Sequence, residues 1–297
     1  RKQCVRYNQT LSNFLPLFAG VPQGTKLGPI AFQAVINDAA VGGAAHYWKY
    51  VDDLTFAENR ISSELSNLQG DLDDFLDWSV INQLKLNPTK CQALQICFMR
   101  DPPPHPDLKI GQSLLAFVST AKVLGVWLQN DLKWDTQVDH MCKNANKRLF
   151  MLRSLKRFGF SKSELVTVYR GYIRPLLEYS DVIWHSSLTS KQTYQLERVQ
   201  KRALRIVLGH NYVSYANALD VCDVDRLSAR REQHSLKFAQ SLPKCSRTSK
   251  LLPPCRGEIH GRQLRNNAKL SQPRARTNRY ATSPIPYYVE LVNNKLP

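Results

Sequence analysis

The chain has 297 residues, 43% of them hydrophobic, enough for one large domain or two modest ones. Its 41 Lys and Arg against 24 Asp and Glu leave a formal net charge of +17, which favours a polyanionic partner, because each phosphate neutralised releases condensed counterions. No apolar run approaches the roughly 20 residues that span a bilayer and the opening RKQCVRYNQT lacks the apolar core of a signal peptide, so the expectation is a soluble, intracellular chain without a membrane partner.

Residues 1 to about 100 mix short strand-like runs with two helical patterns. An extended segment around Val5 to Tyr7 leads into the turn-rich Gly20 to Pro29, and then an apolar run from Ile30 to Ile36 that Pro29 can open as a first-turn proline. HYWKYVDDLTFAE places two aromatic or β-branched runs on either side of an acidic pair, which predicts a hairpin. Ser63 is the expected cap of a helix that aligns Leu65, Leu68, Leu72, Phe75 and Leu76 on one face and ends before LKLNPTK.

Residues 101–133 begin with the breaker DPPPHPD and continue as LKIGQ and KVLGVWL, read as two strands around a turn. From 134 to 240 the pattern is helical. Asp135 is the expected cap of a helix with Val138, Met141, Cys142, Ala145, Leu149 and Leu152 on one face, and Ser161 with Glu164 forms a capping box. Pro175 should kink the second helix, with Gly171 four residues earlier; Ser190 precedes a third helix that Gly209 stops. Residues 241–297 form a basic tail, with eleven cations from Lys244 to Lys295 opposed only by Glu258 and Glu290, expected to be weakly ordered until IPYYVELV.

The seven cysteines are odd in number, scattered and never arranged as C-x-x-C, which argues for free thiols over a disulfide framework. Cys245, Cys255 and His260 have no spacing that fits a compact metal-binding loop.

Two segments carry chemistry. Tyr50-Val51-Asp52-Asp53 puts two carboxylates side by side, whose repulsion of roughly 1 kcal/mol in water at about 4 Å a cation relieves; hard divalent ions such as Mg²⁺ favour one or two carboxylates plus substrate phosphates. A polar hairpin tip is the plainer reading of the tetrapeptide alone. About thirty residues upstream, Gly20-Val21-Pro22-Gln23-Gly24 lets backbone pass close to a flat ligand, and Gln23 offers both donor and acceptor.

Together GVPQGTKLGPIAF and KYVDDLTF resemble the B and C motifs of reverse transcriptases, with the order and spacing of the non-LTR retrotransposon group. LKLNPTKCQ and VLGVWL resemble its D and E motifs, and YRGYIRPLLEYSDVIW, LERVQKRALRIVLG and IPYYVELVN resemble the segments after the palm. The resemblance implies an α+β fold, with a partial palm of antiparallel sheet and helices followed by a helical thumb-like region. It implies RNA-templated DNA synthesis using an RNA template, a DNA primer, deoxynucleotides and a pair of Mg²⁺ ions. Residue by residue it implies that Asp52 and Asp53 are metal ligands, that Gln23, Gly24 and Tyr50 shape the nucleotide and template pocket, that Lys90 is the motif D lysine, and that Leu124 and Gly125 hold the primer end. Lys90 reads equally as a surface lysine and Leu124 as an ordinary strand residue. Lys147, Arg148, Arg153, Lys156 and Arg157 would serve the template-primer backbone, while Trp127, Trp134 and Trp184 read as core.

The family's third aspartate belongs to a motif A upstream of GVPQG, yet only nineteen residues precede Gly20 and none is Asp or Glu. The expectation is a carboxyl-terminal fragment, cut at its amino end and inactive alone. The competing readings are a degenerate remnant that only binds nucleic acid and an unrelated basic scaffold.

Overall fold

The structure, a computed structural model, describes residues 2–18, 20, 24–39, 43, 46–61, 64, 66–260 and 267–295. It resolves into two units, Arg1–Val118 and Ser119–Pro297. The described residues mix helices with six two-stranded sheets, an α+β content.

The first unit opens with two nested pairs, β1 (Lys2–Gln3) with β4 (Leu15–Pro16) and β2 (Arg6–Tyr7) with β3 (Thr10–Leu11). Helix α1 (Leu27–Asn37) follows, begun by Thr25, whose hydroxyl accepts the Gly28 N–H at 3.2 Å. Pro29 does lie in the first turn, where its missing N–H is no loss. β5 (His46–Tyr50) and β6 (Asp53–Ala57) form the predicted hairpin. The expected antiparallel sheet is represented by this two-stranded ribbon, because no third described strand pairs with either of its edges.

Helix α2 (Leu68–Ile81) starts at Leu68, with Asn67 as an N-cap that makes no side-chain bond; Ser63 and Leu65 lie outside the described residues. Glu58 ties this entry instead, accepting from the Asn67 N–H at 3.0 Å and from the Ser66 hydroxyl at 2.5 Å. Leu72 of α2 packs with Leu108, Ile110 and Leu115, and Phe56 of β6 joins them. The pairs β7 (Gln92–Ala93) with β10 (Ala116–Phe117), parallel, and β8 (Lys109–Ile110) with β9 (Ser113–Leu114), antiparallel, close the unit. LKIGQ and KVLGVWL are therefore not two strands of one hairpin: Gly111 (φ +59) and Leu124-Gly125 each provide a turn, so each segment folds on itself.

The second unit begins with the hairpin β11 (Thr120–Val123) and β12 (Val126–Gln129), then α3 (Asp135–Arg157). Asp135 is not the cap of α3, since Trp134 occupies that position; Asp135 Oδ1 accepts from Gln192 Nε2 at 2.8 Å, where a long-range partner outcompetes the local one. α4 (Lys162–Val168) carries the Ser161–Glu164 capping box, and a π-turn over Tyr169–Ile173 joins it to α5 (Arg174–Glu178). In place of one helix kinked at Pro175, the segment is divided by the π-turn, and Pro175 falls in the first turn of α5, where its missing N–H costs little.

After α6 (Asp181–Trp184), α7 (Ser190–Leu208) is capped by Thr189 with Gln192 in a capping box, one residue before the expected Ser190; Gly209 ends it at φ +58. α8 (Tyr215–Cys222) and α9 (Leu227–Ser241) complete the bundle. Its core joins α3, α4, α5, α7 and α8, with Leu149, Leu152, Leu165, Trp184, Leu196 and Leu204 at its centre; Trp134 is buried and Trp127 half-buried.

The basic tail is more ordered over its described residues than composition suggests. It holds α10 (Ser246–Ser249), α11 (Arg256–His260), α12 (Asn278–Ala281) and α13 (Pro284–Lys295). IPYYVELV supplies the reason: Tyr288 is buried against Ala239 and Leu242 of the preceding segment, and its hydroxyl donates to the Val182 carbonyl.

Candidate functional site

Register fixes which carboxylate faces where. Tyr50 pairs with Asp53, Trp48 with Thr55 and His46 with Ala57 on one face of the ribbon; Lys49 pairs with Leu54 and Tyr47 with Phe56 on the other. Phe56 belongs to the core, so its face is the inner one, and Asp53 stands on the open face beside exposed Tyr50 and Trp48. Asp52 occupies the two-residue turn itself, also exposed. The two adjacent carboxylates thus share a tip without sharing a strand face.

Val51, the first turn residue, has φ +56, a position where Gly is the default and a β-branched side chain is strained by about 1–2 kcal/mol. Lys49 supplies part of what holds the hairpin in place. Its ammonium donates to the carbonyls of Ile36, Asn37 and Ala39 at 3.3, 3.2 and 2.7 Å, placing a cation at the carboxyl end of α1 and just beyond it, where the helix dipole favours positive charge. The helix that follows GVPQG and the hairpin that carries YVDD are therefore joined by one cation. Sequence reasoning missed this; a lysine inside an aromatic strand is the only signal, and it does not name its partners.

Gly20 and Gly24, at φ +84 and +78, adopt the left-handed conformation that their residue type permits. Gln23 lies outside the described residues. Lys90 ends a short 3₁₀ turn, Pro88–Lys90, whose start Asn87 fixes by accepting the Thr89 N–H at 3.2 Å; the lysine is exposed, and its ammonium makes no hydrogen bond or ion pair with any described residue. Asp38 is exposed beyond α1, whereas Asp71 is 2% exposed and lays Oδ1 1.1 Å from where a Cβ at Gly43 would be, so it is no ready partner for a substrate.

In the second unit Leu124 and Gly125 form the β11–β12 turn at φ +46 and +87. Leu124 is exposed rather than packed in a strand. Tyr179 braces the turn: its hydroxyl donates to the Leu124 carbonyl at 2.8 Å, and its ring would meet a Cβ at Gly125 at 3.0 Å. Of the α3 cations, Arg148 stacks 4.0 Å over the Tyr172 ring and Lys156 donates to the Val207 carbonyl at 2.8 Å. Lys147, Arg153 and Arg157 are exposed, alongside Phe150 and Phe158.

Two exposed carboxylates suit a hard divalent cation in kind, but among the described residues no group of three or more His, Cys, Asp or Glu side chains gathers as a metal site. No helix is long and apolar enough to cross a membrane among the described residues, and the cysteines are free thiols.

Residues 1–128 match the family described as reverse transcriptase (RNA-dependent DNA polymerase). Over this stretch the chain is similar to that class, and the relatives it resembles are polymerases of transposons and mobile elements. It is 24% identical over 269 residues to a probable RNA-directed DNA polymerase from transposon X-element of Drosophila melanogaster, covering 82% of this chain and 29% of the relative. It is 26% identical over 222 residues to the probable RNA-directed DNA polymerase from transposon BS of the same fly, covering 70% and 24%. The RNA-directed DNA polymerase from mobile element jockey of Drosophila funebris is 26% identical over 219 residues, covering 69% and 23%. The chain thus spans less than a third of the length of these relatives. No solved structure gives a significant match.

Proposed function

We propose that these residues form part of an enzyme that copies RNA into DNA by two-metal nucleotidyl transfer. The carrying observation is the β5–β6 tip, where Asp52 in the turn and Asp53 on the open face stand exposed beside Tyr50. Asp52, with Asp53 beside it, would hold Mg²⁺, which when bound supplies charge stabilisation to the attacking hydroxyl and the leaving pyrophosphate. Gln23, Gly24 and Tyr50 would shape the nucleotide pocket. Lys90 would donate a proton toward the leaving group, and the Leu124–Gly125 turn would support a primer end. An RNA template, a DNA primer and deoxynucleotides are the implied partners, in an intracellular setting.

Two metals need carboxylates from more than one strand, and among the described residues no third His, Cys, Asp or Glu side chain gathers with this pair. Expressed by themselves, they should not extend a primer on RNA with Mg²⁺ or Mn²⁺. Fusing a family-derived segment with its own aspartate motif ahead of residue 1 should restore synthesis, and Asp52→Ala in the fusion should abolish it. Extension by the unfused chain that is lost on Asp52→Ala would overturn the incomplete-site reading.

The second reading, a nucleic-acid binder without catalysis, is favoured by the exposed Lys147, Arg153 and Arg157 beside Phe150 and Phe158. It calls for salt-sensitive binding, with log K falling about 0.7 per phosphate against log salt, and for a fusion that binds but never extends.

A further inference from the structure

We propose that the groove among α7, α8 and α9 takes an unpaired nucleotide of a single-stranded nucleic acid, whose flanking phosphates run along the outer face of α7. This site goes beyond the polymerase reading: it lies in the second unit and uses none of the residues assigned to catalysis.

The outer face of α7 is built for a polyanion. Lys191, Tyr194, Arg198, Arg202 and Arg205 fall on one side of the helix at steps of three or four residues and are all exposed. Fourteen residues of rise carry this stripe over about 21 Å. No Asp or Glu interrupts it. Arg202 reaches Asn146 Oδ1 at 3.2 Å and Arg205 lies 4.9 Å from the Tyr212 ring centre, but Lys191, Tyr194 and Arg198 make no hydrogen bond or ion pair with any described residue. Cations with no structural partner have to be accounted for by something outside the fold or by solvent alone.

The groove beside the stripe argues against solvent alone. It has a volume of about 460 Å³, within the range of small-ligand sites, and is lined by Tyr194, Arg198 and Lys201 of α7, Tyr215 of α8, and Arg226 and Ser228 at the start of α9. Its one acid is already engaged: Glu197 accepts from the Tyr215 hydroxyl at 2.5 Å and from the Ser228 N–H at 2.8 Å. Burial, with the neighbouring Glu197 carboxylate, holds the Tyr215 hydroxyl protonated far above its ordinary range, so it remains a neutral donor to Glu197. Arg226 sits 5.5 Å from the Tyr215 ring centre. Three cations, Arg198, Lys201 and Arg226, thus line the groove against the single Glu197 charge, a net of +2, beside a Tyr194 ring that is 65% exposed and free to stack on a base.

A strand fits better than a free nucleotide because Lys191 lies before the groove along α7 and Arg202 and Arg205 beyond it, where a mononucleotide has no further phosphate to offer. A duplex fits worse, since its bases are stacked inside and cannot enter the groove without unpairing.

The test is equilibrium anisotropy with the full chain, a labelled single-stranded oligoribonucleotide and the blunt duplex of the same sequence, without metal or deoxynucleotides. Binding measured this way stands or falls independently of primer extension. Tyr194→Ala should weaken single-strand binding about tenfold, and Tyr194→Phe should stay within about twofold of the wild type. The pair Arg198→Ala, Arg226→Ala should reduce the single-strand salt slope by about 1.4, two phosphates at about 0.7 each. Unchanged unfolding midpoints in these variants keep the loss assigned to binding. Unchanged affinity in Tyr194→Ala, an equal loss for the duplex, or displacement of the strand by a nucleoside monophosphate at comparable concentration would each overturn the proposal.

Discussion

The two units bury apolar surface very differently. The second unit has a continuous core reaching from Val126 to Leu227, whereas in the first only Leu72, Leu108, Ile110 and Leu115 are buried in one cluster. The first unit also leaves Tyr7, Phe14, Phe18, Leu27 and Trp48 exposed. Burial of this kind is the main favourable term in folding, so the second unit is the more stable one and the hairpin with the acidic tip rests on the weaker scaffold.

The largest break in this comparison should come from the core. Leu149→Ala, at 1% exposure, should cost about 3–5 kcal/mol in thermal unfolding of the second unit, and Leu72→Ala in the thinner cluster about 2 kcal/mol. Equal costs would mean that the first unit packs as well as the second. Next come the turns: Gly125→Ala forces a side chain at φ +87 into the Tyr179 ring and should cost about 2–3 kcal/mol, whereas Gly20→Ala, at φ +84 with open space around it, should cost about 1 kcal/mol.

A pH dependence confined to the second unit is a subtler test. Burial, helped by the Arg231 guanidinium, pushes the His185 imidazole down from 6.5 to about 4. The unfolded chain then binds the extra proton, so stability present above about pH 6.5 is lost as pH falls toward 4. Burial raises the Asp181 carboxyl despite its 2.6 Å contact with His234, and that group acts in the opposite sense, favouring the folded state on the acid side. The midpoint of the second unit should fall between pH 6.5 and 4.5, and His185→Gln should flatten the decline; an unaltered slope would assign it to another group. The smallest effect is expected at the hairpin. Val51→Gly removes the strain at φ +56 but loosens the unfolded chain, so hydrogen exchange in β5 and β6 should shift by no more than about 1 kcal/mol, in the stabilising direction.

Much of the local fold was legible because its signals are local. The YVDD hairpin, the first-turn Pro29, the capping box at Ser161 and the stop at Gly209 each depend on residues within a few positions of one another. The misreadings have a common cause. Asp135 and Ser190 look like caps, but Asp135 bonds Gln192, 57 residues away, and Thr189 caps the helix one position earlier than Ser190 would. The tail reads as loose because its cations dominate the count, while two aromatic residues near its end decide its packing.

The sequence by itself determined the order of its motifs, their resemblance to a polymerase class and most of its helices, since periodicity, glycines and capping residues act over a turn or two. Only the tertiary structure decided that Lys49 would close the end of α1, that Tyr179 would brace a turn 55 residues away, and that Tyr288 would reach Val182 across 106 residues. It also decided that Glu197 would be engaged and that three cations would line the α7 groove beside it. The reason is physical: an ammonium, a hydroxyl or a carboxylate can be satisfied by many partners, and chain folding, not residue type, selects which one comes within 3 Å.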